Sequence, residues 1–165
     1  MDYKLRDFSV MIVDDDRLVQ KLVADVLKNL GFGKTQKADD GKSALKMLET
    51  SQVDFIFCDW RMPEMSGPEF IKQIRSGKTR VNPFIPIIML TGNAEVHQVI
   101  EARNIGANDY LIKPFTVKQI TKRIIELVDN PREFIASPKY TGPCRRRKSV
   151  PPKGPDRRKP RKTRK

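Results

Sequence analysis

Cysteine and histidine are scarce: Cys58, Cys144 and His97 are the only ones among 165 residues. Cys58 falls inside an apolar run and Cys144 inside a basic one, so the two make a poor disulfide pair and fit a reducing compartment. His97 has no metal-ligating neighbours and reads as a surface or interface residue. No apolar run approaches the roughly 18 residues of a membrane span, and the opening Met1-Asp2-Tyr3-Lys4-Leu5-Arg6-Asp7 lacks an apolar signal core. A cytoplasmic location is the expectation. Aromatic residues are few, and Tyr140 alone stands near the arginine runs, so stacking-based recognition of single strands has weak support and sequence-specific nucleic-acid reading has none.

What is present divides at about residue 130. Apolar residues make up 38% of the chain, enough for one real core. Up to residue 130 the chain holds 19 basic and 18 acidic residues; residues 131–165 hold 14 and 2, so nearly all of the net +13 lies in the last segment. Seven of the twelve prolines also fall beyond residue 130, and such a composition cannot bury enough apolar surface to fold alone. The division expected is therefore a globular domain over 1–130 and a disordered basic tail over 131–165. Within the tail, Gly142-Pro143-Cys144-Arg145-Arg146-Arg147 recurs as Gly154-Pro155-Asp156-Arg157-Arg158-Lys159. Two copies are too few for a solenoid and read as paired recognition elements or as chance in a biased composition.

The first 130 residues alternate strand-like and helix-like patterns. Leu18, Leu22, Val26 and Leu30, widened by Val19, Val23 and Leu27, mark a first amphipathic helix closed by Gly31. A second helix is expected from about Gly41 to Thr50 with Ala44, Leu45 and Leu48 inward. Ser66 with Glu69, and Thr116 with Gln119, are capping boxes that open the third and last helices. The fourth spans about Ala94 to Asn104. Lys34 to Ala38 is a weak strand suited to a sheet edge. Alternation of this kind implies a parallel sheet covered by helices on both faces.

The apolar runs end in residues able to handle phosphate or metal. Ser9 to Val13 leads into Asp14-Asp15-Asp16, Phe55 to Cys58 into Asp59, Ile85 to Leu90 into Thr91, and Tyr110 to Ile112 into Lys113-Pro114. Acids after a strand often only cap the next helix, which is the plainer explanation of each one alone. Their joint placement argues otherwise, because ligands of open α/β sheets bind beyond the carboxyl ends of the strands. Crowded carboxylates repel and are tolerated around a hard cation, and Mg2+ suits oxygen ligands.

These blocks resemble the receiver domain of response regulators, of the single-domain chemotaxis type, over residues 7–129. The resemblance rests on Ile12-Val13-Asp14-Asp15, on Cys58-Asp59-Trp60-Arg61-Met62-Pro63-Glu64-Met65-Ser66-Gly67, on Met89-Leu90-Thr91-Gly92, and on Gly106-Ala107-Asn108-Asp109-Tyr110-Leu111-Ile112-Lys113-Pro114-Phe115. It implies a doubly wound (βα)5 flavodoxin-like sheet in the order 2-1-3-4-5, an order for which such receivers are themselves a standard example. It also implies a two-component phosphorelay protein in which Asp59 takes a phosphoryl group from a histidine kinase or histidine phosphotransfer protein. By the same resemblance Asp15, Asp59 and the backbone carbonyl of Arg61 hold Mg2+, Asp14 does so directly or through water, and Lys113, preceding a cis proline, supplies positive charge. Thr91 and Tyr110 become the switch, and the face of the fourth helix, fifth strand and fifth helix the binding surface for a downstream protein. Such a chain is a phosphoacceptor rather than an enzyme, with at most weak self-phosphorylation and autodephosphorylation. Arg61 and Asn93 flank the path of attacking water, so the phosphoryl lifetime is left open.

The tail admits a second reading. Arg145, Arg146, Arg147, Arg157 and Arg158 would attract nucleic acid or another polyanion through counterion release, making the chain a nucleic-acid-associated regulator whose receiver controls a basic arm. A third, a magnesium phosphohydrolase, is disfavoured because no further acid/base group is evident.

Overall fold

The computed structural model describes residues 5–92 and 96–145. Five parallel strands form one sheet in the order β2-β1-β3-β4-β5: β1 (Ser9–Val13), β2 (Lys34–Ala38), β3 (Phe55–Asp59), β4 (Ile87–Thr91) and β5 (Asp109–Ile112). The helices between them are α1 (Arg17–Asn29), α2 (Gly41–Leu48), α3 (Gly67–Arg75) and α4 (Val96–Ile105), with α5 (Val117–Asp129) after the last strand. This is the doubly wound flavodoxin-like architecture expected. The weakly apolar Lys34 to Ala38 takes the sheet edge beside β1, where one row of backbone groups needs no partner.

Side chains of the central strands alternate between two cores, as the two-residue period of a strand requires. Met11, Val13, Ile56, Cys58, Ile87 and Met89 join residues of α2, α3 and α4; Val10, Ile12, Phe55, Phe57, Ile88 and Leu90 join residues of α1 and α5. Both faces are therefore buried, so β1, β3 and β4 read as continuous apolar runs rather than alternating ones.

Both expected capping boxes form: Ser66 and Glu69 open α3, and Thr116 and Gln119 open α5. The apolar face of α1 is a correction. Val23, Val26 and Leu27 are buried, but Leu18 is 78% exposed and Leu22 37%. Four-residue steps drift by about 40° each on a helix of 3.6 residues per turn, so a row begun at Val26 has wound away from the sheet by Leu18.

The second correction concerns the segment after residue 130. Regular structure does not stop there. Strands β6 (Phe134–Ser137) and β7 (Tyr140–Pro143) form an antiparallel hairpin in which Phe134 faces Pro143 and Ser137 faces Tyr140. An isolated two-stranded hairpin is marginal in water, and this one is completed by the domain it rests on. The Phe134 ring packs edge-on to Phe84 at 5.8 Å and lies 5.2 Å under the guanidinium of Arg75. A Cβ at Gly142 would lie 2.6 Å from Tyr140 Oη and 2.8 Å from Gly106 Cα, so only glycine fits there. Buried Arg75 donates from Nε and Nη2 to the Gly106 carbonyl (3.0 and 2.9 Å) and from Nη1 to that of Pro83 (2.6 Å). Burial lowers its pKa to about 10, so it remains charged at neutrality. The hairpin thus sits at the amino ends of β4 and β5.

Candidate active site

Asp14, Asp59, Thr91 and Lys113 all arrive at the carboxyl end of the sheet. β1 and β3 are neighbours in register, Val13 against Cys58, so the residues that follow them emerge side by side. Oxygens of Asp14, Asp15 and Asp59 lie within 4.8 Å of one another, the one such acidic group found among the described residues. Asp14 and Asp59 are buried and Asp15 is exposed. The three consecutive acids divide their work. Asp16 caps α1 by accepting from the Leu18 and Val19 N–H groups, so the plainer helix-capping explanation holds for it and not for its neighbours.

Lys113 is the common counterion. Its Nζ lies 2.7 Å from Asp14 Oδ2 and 2.7 Å from Asp59 Oδ1, and the Lys113–Pro114 bond is cis as expected. Burial by itself pushes the lysine pKa down, but hydrogen bonds to the two carboxylates outweigh it and the net direction is upward. Asp14 also moves up, because burial opposes its anion more than Lys113 and the Asp16 N–H favour it. The two directions look inconsistent for one ion pair. They are reconciled by exposure: Asp14 is wholly enclosed, whereas Lys113 keeps contact with solvent and has two anions to serve.

The second oxygen of Asp59, Oδ2, accepts the Arg61 N–H at 3.0 Å. Asp59, Trp60, Arg61, Thr91, Gly92, Gln98 and Lys113 line one open pocket of about 380 Å³. Arg61 is exposed, and its N–H bond to Asp59 keeps its backbone beside that carboxylate. The donor set, all oxygen and predominantly anionic, fits a hard divalent cation.

Thr91 is buried and points its hydroxyl to Gln98 Oε1 at 2.9 Å, on the first turns of α4. Sequence reading did not find Gln98. A buried glutamine in a helix carries no periodic signal, and only the tertiary partner explains it. The same is true of Gln20, whose Nε2 donates to the carbonyls of Asp14 (2.7 Å) and Ala38 (3.1 Å) and to Asp39 Oδ1 (3.0 Å), tying the Asp14 loop to the end of β2. Tyr110, half-buried on β5, does not line the Asp59 pocket; it faces the cavity between α4 and the hairpin. His97 is exposed, as expected of a surface residue. Arg145 places its guanidinium 4.1 Å over the Tyr140 ring. Arg146, Arg147, Arg157, Arg158 and Asn93 lie outside the described residues. No helix among the described residues is long and apolar enough to cross a membrane.

Comparison with known proteins gives a consistent answer. The family described as the response regulator receiver domain matches residues 10–125. The chemotaxis protein CheY-3 of Vibrio cholerae is 36% identical over 124 residues, covering 75% of this chain and 94% of the relative. CheY of Pseudomonas aeruginosa is 35% identical over 120 residues, covering 73% and 95%. Among solved structures, the receiver domain of a sensor histidine kinase from Pseudomonas aeruginosa, with magnesium coordinated in its active-site cleft, superposes with a TM-score of 0.66 at 27% identity, over 74% of this chain and 98% of that one. The hairpin and the basic tail lie past the family segment.

Proposed function

The chain belongs to the response regulator receiver domain family and is a component of two-component signalling, and from that premise we propose that Asp59 accepts a phosphoryl group from a phosphohistidine on a histidine kinase or phosphotransfer protein. One observation carries the assignment of residues: Asp59 alone among the three acids is held by Lys113 while also facing the open pocket lined by Thr91. A carboxylate oxygen attacks phosphorus, the phosphorus–nitrogen bond breaks, the histidine nitrogen leaves and takes up a proton, and an acyl phosphate remains on Asp59. Two anions approach each other in that step, and Lys113 supplies a fixed positive charge where the negative charge gathers. Asp14, Asp15, Asp59 and the Arg61 carbonyl would hold Mg2+, which when bound offsets the crowded carboxylates and the phosphoryl oxygens.

Once the phosphoryl group is in place, its oxygens compete with Gln98 for the Thr91 hydroxyl. A Thr91 that moves to the phosphoryl group leaves α4, which shifts the population between two packings of the face formed by α4, β5 and α5, the surface for a downstream protein. The chain thereby acts as a phosphoacceptor, and its own chemistry is limited to slow self-phosphorylation and autodephosphorylation.

Incubation with acetyl phosphate and Mg2+ tests this by intact mass. The expected product is one acid-stable, base-labile phosphoryl adduct, absent in Asp59→Asn. An adduct that persists in Asp59→Asn refutes the assignment, and steady consumption of the donor with no adduct favours the phosphohydrolase.

A further inference from the structure

Among its described side chains α4 buries only Gln98 and Ala102, whereas α3 buries Phe70, Ile71 and Ile74. So little apolar surface grips the sheet that the position of α4 depends on the polar contacts at its two ends. At the amino end Gln98 accepts the Thr91 hydroxyl. At the carboxyl end the turn through Gly106 and Asn108 is held from two sides. From the sheet, Ile87 of β4 accepts the Asn108 N–H at 2.7 Å and donates its own N–H to Asn108 Oδ1 at 3.1 Å. From outside, the hairpin closes over the turn, with the Thr141 carbonyl and Gly142 against Gly106. Arg132 donates from Nη1 to the Asn108 carbonyl at 2.8 Å and from Nη2 to the Cys144 carbonyl, so one side chain ties both ends of the hairpin to the start of β5. Arg75, the last residue of α3, completes the seat through the Gly106 carbonyl and the Phe134 ring.

We propose that the docked hairpin is a brake on the Thr91 switch: by seating the carboxyl end of α4 it favours the packing in which Gln98 holds the Thr91 hydroxyl, and so opposes the packing that follows phosphoryl transfer to Asp59. This brake presupposes the phosphoacceptor reading and adds a regulation of that same site. A helix of ten residues moves nearly as one body, so a shift that releases Thr91 at one end is felt at the other. The seat has no room for it. Gly106 already takes a φ of +99° with the hairpin backbone against it, and both hydrogen bonds from Arg75 to its carbonyl lengthen out of reach when the turn moves. The switched packing therefore gives up part of the hairpin docking. Linkage makes the effect reciprocal: the factor by which the docked hairpin disfavours the modified state is the factor by which modification loosens the hairpin. β6 and β7 lie beyond residue 125, where the family segment ends, so the brake belongs to this chain and not to receivers at large.

The test uses the full chain and beryllium fluoride with MgCl2, a stable stand-in for the aspartyl phosphate, titrated by the fluorescence of Trp60, the one tryptophan, which lines the Asp59 pocket. Two variants undock the hairpin by different means: Phe134→Ala removes the ring held between Phe84 and Arg75, and Gly142→Ala sets a Cβ 2.8 Å from Gly106 Cα. Amide exchange should show residues 134–143 unprotected in both, with the central sheet intact. Each should bind beryllium fluoride about fivefold to tenfold more tightly than the parent, within the usual range of coupling between sites. A merely damaged fold would bind it more weakly. In the parent, saturating beryllium fluoride should lower protection of residues 134–143 by a similar factor. Lys139→Ala, in the exposed turn of the hairpin, should match the parent in both measurements. Unchanged or weaker binding in the undocked variants, unchanged hairpin exchange in the saturated parent, or a hairpin that stays protected in both variants overturns the proposal. Acetyl phosphate labelling of the same samples separates the two levels: a normal Asp59 adduct with no coupling discards the brake alone, and no adduct in the parent discards the reading beneath it.

Discussion

Neutralising Asp15 should make the protein more stable than its parent without magnesium and less stable than its parent with it. Its carboxylate has an oxygen within 4.8 Å of oxygens on both Asp14 and Asp59. At that separation two unit charges repel by about 0.9 kcal/mol in water and about 3.5 kcal/mol at an effective dielectric of 20. Asp15 is exposed, so the lower figure applies to each neighbour, and attraction to the nearby Lys113 ammonium cancels part of it. A net gain of about 1 kcal/mol for Asp15→Asn follows, an increase in Tm of roughly 3–4 °C for a domain of this size. Magnesium at about 100 times its Kd adds about 2.7 kcal/mol to the parent, and Asp15→Asn should receive little of it. Urea or thermal unfolding in EDTA and then in excess MgCl2 reads both quantities. The variant should be the more stable protein in EDTA and the less stable one in magnesium. A variant already weaker than its parent in EDTA, or one that gains as much from Mg2+, would show that Asp15 neither suffers the repulsion nor holds the ion.

Replacement of Lys113 by Met should cost about 2–3 kcal/mol near neutrality, less than the 3–5 kcal/mol of breaking a fully buried pair because the lysine side chain keeps 22% exposure. Its raised pKa means that its contribution is fully present below the ordinary lysine value and lost as pH climbs through the folded one, so the gap between parent and Lys113→Met should close at strongly alkaline pH. Asp14, also raised, contributes most below the ordinary aspartate value and loses that contribution as pH rises, so Lys113→Met should be most stable in acid; urea midpoints from pH 4 to pH 11 follow both trends. At the other end of the sheet, Gly106→Ala should cost about 2 kcal/mol or more, since φ is +99° and the new Cβ would meet the Thr141 carbonyl at 2.7 Å and the Arg75 Nε at 3.0 Å. Amide exchange should show lost protection across residues 134–143 with the central sheet unaffected.

The parts of this site that were legible in the sequence are those that a strand delivers by itself. Asp14, Asp59, Thr91 and Lys113 each follow an apolar run, and parallel pairing alone carries the four strand ends to one edge. Both capping boxes were legible for the same reason, because Ser66 with Glu69 and Thr116 with Gln119 satisfy backbone groups within three residues. Gln98 and Gln20 were not, because a buried amide is explained only by partners elsewhere in the chain: the Thr91 hydroxyl that donates to Gln98 in one case, the Asp14 and Ala38 carbonyls that accept from Gln20 in the other. The hairpin was missed on similar grounds. Phe134-Ile135-Ala136 and Tyr140-Thr141 are two short β-prone runs around Pro138-Lys139, but the surrounding charge hid them, and the groups that complete their burial, Arg75 and Gly106, lie far back in the sequence. Tyr110 was placed correctly on its strand, and alternation puts it on the α4 side, opposite Leu111, where it lines the cavity beside the hairpin.

Helix α4 joins the two halves of this account. Near its amino end Gln98 holds the Thr91 hydroxyl; at its carboxyl end the turn through Gly106 is pressed against Gly142 and capped by the Arg75 guanidinium. Ten residues of helix span about 15 Å and transmit a displacement without absorbing it. A Thr91 drawn toward the Asp59 pocket must break its bond to Gln98, and a buried glutamine left without that partner costs about 1–3 kcal/mol unless it turns to find another. The cheaper response is a shift of α4 itself. That shift meets the hairpin at Gly106, where two glycines in contact leave no slack, so the hairpin has to travel with the helix or lose its seat. On the proposed phosphoacceptor reading, either outcome would change the spacing between Arg103 on α4 and Arg132 and Arg145, which flank the hairpin, and so would tie the charge geometry at the amino end of the sheet to the state of an aspartate at its carboxyl end.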